Sequence, residues 1–97
     1  MPKVRGIEII KSPRRFKKYR AVFKDYYVDF GDSRYGQYMD RALGIYSHLN
    51  HKDNARRRAY FRRFSGVDTK GAALAKELDK VMDGKYNAKI LSHLYLW

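Results

Sequence analysis

Five arginines stand within one short stretch, Arg56-Arg57-Arg58 and Arg62-Arg63, and the chemistry they offer is recognition of oxyanions. A guanidinium is planar, stays charged and presents a fork of donors that fits two oxygens of one phosphate. Asp53 precedes the group and no acid follows it before Arg63, so the stretch carries more cation than its own acids can pair. Lys52 adds to it, and Lys17, Lys18 and Arg20 form a second basic set upstream. Phosphate contacts position a partner without reading its bases. These nine residues, Arg56, Arg57, Arg58, Arg62, Arg63, Lys52, Lys17, Lys18 and Arg20, are therefore the expected nucleic-acid contacts, for a backbone-binding role without sequence preference.

Other chemistry is thinly provided for. His48, His51, Asp53 and His93 are the one set of residue types that suits a cation, but His93 lies in an apolar tail and a zinc site needs three or four ligands in fixed geometry. No metal and no cofactor are expected. The letters of His48-Leu49-Asn50-His51 are those of an HNH nuclease at the wrong spacing. Asp25, Asp29, Asp32 and Asp40 sit in turns or on a strand's outer face, where acids serve the backbone, and no nucleophile or base accompanies them. No glycine pattern of a Walker or dinucleotide loop occurs. The chain is expected not to be an enzyme. Tyrosine is abundant, and Tyr35 and Tyr38, beside Gly36, are the rings expected to be exposed and able to stack on bases; the others are expected in the core or at its rim.

These residues sit in a chain of 97 residues with a formal charge of +12 and no cysteine. Lys3, Arg5, Lys11, Arg14, Arg15, Lys17, Lys18, Arg20 and Lys24 face only Glu8 in the first block, while the sequence outside the two basic blocks is near neutral. Charge so segregated builds a directional positive field suited to a polyanion. With 44% hydrophobic residues the chain is too apolar for a disordered basic tail. Its apolar runs are too short for a membrane span, so no membrane insertion is expected, and no export signal is read at its start.

Alternation of Ile7 and Ile9 with Glu8 predicts a strand over 4–11, ended by Ser12-Pro13. Tyr19, Ala21 and Phe23 alternate with Lys18, Arg20 and Val22 in a second strand, Lys24-Asp25 turns the chain, and Tyr26, Val28 and Phe30 make a third that stops at Gly31-Asp32. Spacing of Met39, Ala42, Leu43, Tyr46 and Leu49 predicts a helix near 36–49. Asp53 caps a second helix, seated by Tyr60, Phe61 and Phe64 and stopped by Gly66. A third runs from about Ala72 to Asp83, before Gly84, and the apolar tail to Trp97 should dock on the core. The fold expected is α+β: one domain over 1–97, with an N-terminal three-stranded antiparallel meander packed against two or three helices. Residues 1–15 are expected to serve as an extended basic N-terminal arm.

In the order of its motifs the chain resembles a family of small basic proteins of nucleocytoplasmic large DNA viruses of algae and amoebae. The motifs are Lys17-Lys18-Tyr19-Arg20-Ala21-Val22-Phe23, Val28-Asp29-Phe30-Gly31-Asp32, Tyr35-Gly36-Gln37-Tyr38, His51-Lys52-Asp53 leading to Arg56-Arg57 and Tyr60, and Ala88 to Trp97. The resemblance covers residues 17–64 and the last ten, and departs from the family's pattern between Gly66 and Lys85. It implies a viral structural protein found in the virion, and in the host cytoplasm or nucleus during infection, with DNA ahead of RNA as partner. An alternative is a minor capsid or cement protein that meets capsid proteins through the arginine-rich helix and the basic arm, with Ile7, Ile9 and Ile10 added to a partner's sheet edge.

Overall fold

The computed structural model describes residues 6–81 and 85–97, and the backbone of Lys3 and Val4. Its order is β1 (Lys3–Val4), β2 (Ile7–Lys11), β3 (Lys17–Val22), β4 (Tyr27–Asp32), a 3-10 turn at Ser47–Leu49, α1 (Asn54–Ser65), α2 (Lys70–Asp79) and α3 (Ala88–Tyr95). The fold is α+β. The expected meander is present as β2, β3 and β4, and β1 adds a short antiparallel edge to give the order β1-β2-β3-β4. The strand expected over 4–11 is divided because Gly6, at φ +81, turns the chain back so that Val4 pairs Ile7. Ile9 pairs Ala21 and Tyr19 pairs Phe30, which aligns four fully buried side chains on one sheet face.

That face is covered by α3, whose Leu91 and Tyr95, with Leu96 beyond it, complete the main core. Asn87 starts α3 by accepting the N–H of Ile90 at 2.9 Å. The tail expected to dock thus does so as a helix. A smaller cluster of Tyr60, Phe61 and Ala73 joins α1 to α2, and Trp97 packs against both clusters. Asp53 caps α1 by accepting from Ala55 and Arg56, and Gly66 closes it in the left-handed region at φ +71. Both were expected. Thr69 caps α2, which ends at Asp79; the expected end at Met82, Asp83 and Gly84 lies outside the described residues.

The helix expected near 36–49 does not form. Its main-chain donors are spent elsewhere: Met39 N–H reaches Leu96 O at 3.1 Å and Arg41 N–H reaches Tyr95 O at 2.8 Å, satisfying carbonyls at the end of α3 that have no partner within the helix. Asp40 replaces a helical ladder with side-chain bonds, accepting from the N–H groups of Ala42 and Tyr46 and from the buried Tyr19 hydroxyl at 2.5 Å. Gly44 at φ +76 completes the loop. The apolar spacing there reflects a loop packed on the core, with Ala42, Leu43 and Tyr46 against it.

The sequence-expected arm over 1–15 is likewise corrected over Ile7–Lys11. β2 is an inner strand between β1 and β3, and Ile9 is fully buried. β3 pairs it over Glu8–Lys11 and β1 pairs Ile7 and Glu8, and Ile9, the central anchor expected for a partner's sheet, is spent in the protein's own core.

Candidate nucleic-acid interface

Of the nine expected contact residues, the structure divides those that face outward from those that hold the fold. On α1, Arg56, Arg58, Arg62 and Arg63 are exposed, as is Lys52 just before it. Helical phase explains this: with Tyr60 and Phe61 turned into the core, these arginines fall on the remaining arc with Ala55 and Ala59. Two acids temper the field. Arg62 meets Asp68 at 2.7 Å and Arg56 meets Asp53 at 3.7 Å, both pairs open to water and weak. Arg56 also stands in the first turn, where the helix dipole disfavours a cation, whereas Arg62 and Arg63 stand where it favours one.

Arg57 is different. Its Nε donates to the main-chain oxygen of Trp97 at 3.0 Å and its guanidinium lies 4.6 Å from the Tyr38 ring. It ties α1 to the end of α3, and Tyr38, expected to be exposed, is half-buried in this contact. Arg20 is also committed: it makes two bonds to Asp29, at 2.9 and 3.1 Å, and covers the face of Tyr27 at 3.8 Å. The Arg20 bonds, with one from Ser12, hold Asp29 below the usual carboxylate range. Arg20 and Arg57 are therefore corrected from contact residues to structural ones.

Lys18 is corrected as well. Only 2% exposed, its ammonium donates to Tyr35 O at 2.9 Å and to Gln37 Oε1. Burial pushes its pKa down to about 8, with Asp40 and Asp32 pulling the other way. Between that value and the ordinary 10.5 the folded chain holds fewer protons here than the unfolded chain, so this group makes stability rise with pH across the window. Thermal unfolding from pH 8 to 10 is expected to show that rise superposed on the other titrations. Lys18→Met should remove it, giving a measurably flatter profile.

Lys17, the third of the upstream cations, is half-exposed, and its place is informative. It borders a cleft of about 370 Å³ between the β3–β4 end of the sheet and the helices, whose walls also include Tyr35, Tyr60, Arg63, Phe64, Lys89 and Trp97. Lys17 comes from the first basic block and Arg63 from the second. Asp32 is the acid at this rim, and it is held by Arg34 in two bonds, at 3.0 and 2.7 Å, which keep its carboxyl at about 2. Sequence reasoning missed Lys89, Arg34 and the exposed Phe64; the cation between Ala88 and Ile90 at the start of an apolar helix was the available signal for Lys89.

Behind the cleft, a polar chain crosses the helices. The Ser65 hydroxyl donates to Glu77 at 3.3 Å, so its oxygen is left to accept from His93 Nε2 at 2.8 Å. His93 Nδ1 then accepts from the Tyr60 hydroxyl at 2.9 Å. All four residues are buried. Serine, histidine and a carboxylate meet here, but the carboxylate holds the serine rather than the histidine, and none of the three is open to a substrate. The chain ties α1, α2 and α3 together. Burial tends to raise the Glu77 carboxyl, but Lys89 at 3.5 Å, Lys80 at 3.7 Å and its hydrogen bonds leave it below its ordinary value.

Asp29 accepts from the Arg20 and Ser12 side chains, Asp40 serves the backbone of Ala42 and Tyr46, and His51 Nδ1 accepts the Asp53 N–H at 3.0 Å. Among the described residues no three His, Cys, Asp or Glu side chains converge as a metal would require. Among them, too, no helix is long and apolar enough to cross a membrane. Compared with protein-family models, curated proteins and solved structures, the chain matches none of them.

Proposed function

We propose that the protein is a non-enzymatic structural protein that binds nucleic acid, DNA ahead of RNA, through its phosphate backbone and without sequence preference. One observation carries the reading: cations from two separate sequence blocks, Lys17 and Arg63, border one cleft with Lys89, and the exposed Arg56, about two turns before Arg63 on the same side of α1, extends that basic surface, while Arg58 and Arg62 add charge on the side toward α2. A formal charge of +12 supplies the long-range attraction. The virion, and the host cytoplasm or nucleus during infection, are the setting that the resemblance to the viral family supports.

The test is binding to random-sequence duplex DNA over a salt series, with Arg56, Arg58, Arg62 and Arg63 all changed to alanine. Arg57 and Arg20 are left in place because they hold the fold. Each lost phosphate contact removes about 0.9 from the slope of log affinity on log salt, so the variant's slope should be shallower by about 3 to 4. Low-salt affinity should fall by about 100-fold. An unchanged slope would end the phosphate reading and favour contact with capsid proteins.

A further inference from the structure

We propose that the cleft and its rim bind a single strand of nucleic acid, with Phe16, Tyr35 and Phe64 as stacking platforms for unpaired bases. This rests on the phosphate-binding reading above and adds base contacts to it. The three rings are among the few large apolar side chains left exposed, at 41%, 64% and 42%. They are contiguous. Tyr35 and Phe64 border the cleft with Lys17, Arg63 and Lys89, and Phe16, next to Lys17, is linked to Tyr35 through Arg34, whose guanidinium lies 4.4 Å from the Phe16 ring and 5.7 Å from that of Tyr35.

Cations alternate with the rings along this path. Arg15 stands 4.6 Å from the Phe16 ring and Arg63 stands 4.8 Å from the Phe64 ring. Neither arginine makes an ion pair among the described residues. Rings for base faces beside guanidinium and ammonium groups for phosphates are what a single strand requires, whereas a duplex keeps its base faces stacked and out of reach. Tyr27, the other exposed aromatic residue, stands at the start of β4, at the opposite end of that strand from the cleft residues Gly31 and Asp32.

The backbone at Phe16 adds a second, independent observation. Its φ is +65, in the left-handed region that a bulky side chain rarely adopts. The fold holds it there by a bond from Ser33 N–H to Phe16 O at 3.0 Å. The strain sets an apolar ring at the surface between two guanidinium groups that lie over it, a stack of ring and cations that a base can extend.

The test compares an oligo-dT strand with an abasic strand of equal length, which keeps the phosphates and removes the bases. Tighter binding of oligo-dT by about 10-fold or more is expected, since base–ring stacking is worth about 5- to 100-fold per base. Tyr35→Leu and Phe64→Leu, which keep apolar volume, should each weaken oligo-dT binding by about 5-fold or more and leave abasic binding unchanged. Phe16→Asn should do the same while melting no lower than the parent, because asparagine accepts the left-handed backbone. Equal binding of the two strands, with ring variants like the parent, would overturn the stacking proposal while leaving phosphate binding in place. Failure to bind duplex and both strands alike would overturn both readings.

Discussion

Between pH 6.5 and 4 the protein is expected to lose about 3 kcal/mol of stability through one side chain, His93. The imidazole is fully buried, and burial pushes its pKa down from the ordinary 6.5 to about 4; nearby Glu77 opposes this, while Lys89 and Lys70 add to it. Below 6.5 the unfolded chain takes up a proton that the folded chain refuses, so unfolding is favoured progressively until the folded pKa is passed. The network makes the refusal concrete. Nδ1 accepts from Tyr60, and a proton placed there would face a donor and break the chain from Tyr60 to Glu77. Urea unfolding at pH 7, 5.5 and 4 measures the loss. His93→Gln is expected to be less stable at pH 7 yet markedly flatter over the same range, and an equally steep profile in that variant would reject the assignment. Glu77, also below its ordinary value, contributes to acid loss in both proteins and cancels in the comparison.

Gly31→Ala is expected to destabilise the fold by about 3 kcal/mol, from backbone strain and overpacking together. Gly31 sits in β4 at φ +79, and a Cβ there would lie 2.8 Å from Leu96 Cδ1 and 3.1 Å from Lys18 Cβ. Neither neighbour can yield readily. Leu96 is 1% exposed in the core, and Lys18 is held by its bonds to Tyr35 and Gln37. Gly6 provides the control: at φ +81, an alanine methyl there would meet nothing within 4 Å, so Gly6→Ala should cost only the strain, about 1 kcal/mol. Thermal or urea unfolding of the pair separates steric from conformational cost, and equal effects would show that the clash is relieved.

The sheet and α1 could be read from sequence because local physics decides them. Alternation at Ile7 and Ile9, and at Tyr19 and Ala21, places the buried residues, while Asp53 and Gly66 bound α1 by side-chain capping and backbone freedom. The loop over 36–49 was not legible, since its apolar spacing mimics a helix and the decisive bonds come from Tyr95 and Leu96, far along the chain. The basic residues divide for the same reason. Lys17, Lys18 and Arg20 look alike in sequence, yet strand register sets Arg20 opposite Asp29, and the path of residues 35–37 brings two oxygens to the Lys18 ammonium. Of the three, Lys17 and Lys18 both border the cleft, but the Lys18 ammonium is held by those two oxygens, whereas Lys17 is half-exposed there. Phe64 was expected to help seat α1 and is instead exposed, because Tyr60 and Phe61 already fill the space between the helices.

The cover that α3 gives the sheet has a consequence for how the molecule assembles. β2 and β3 lie early in the chain and their apolar face waits for Leu91, Tyr95 and Leu96, of which Tyr95 and Leu96 also supply the carbonyls that fix the 39–41 segment. Neither half can bury its surface alone. The loop-closure entropy must be spent before the contacts that repay it exist, which places folding toward the slower end for a domain of this size. Hydrogen exchange in the sheet and in α3 would then report one cooperative unit, opening together rather than element by element.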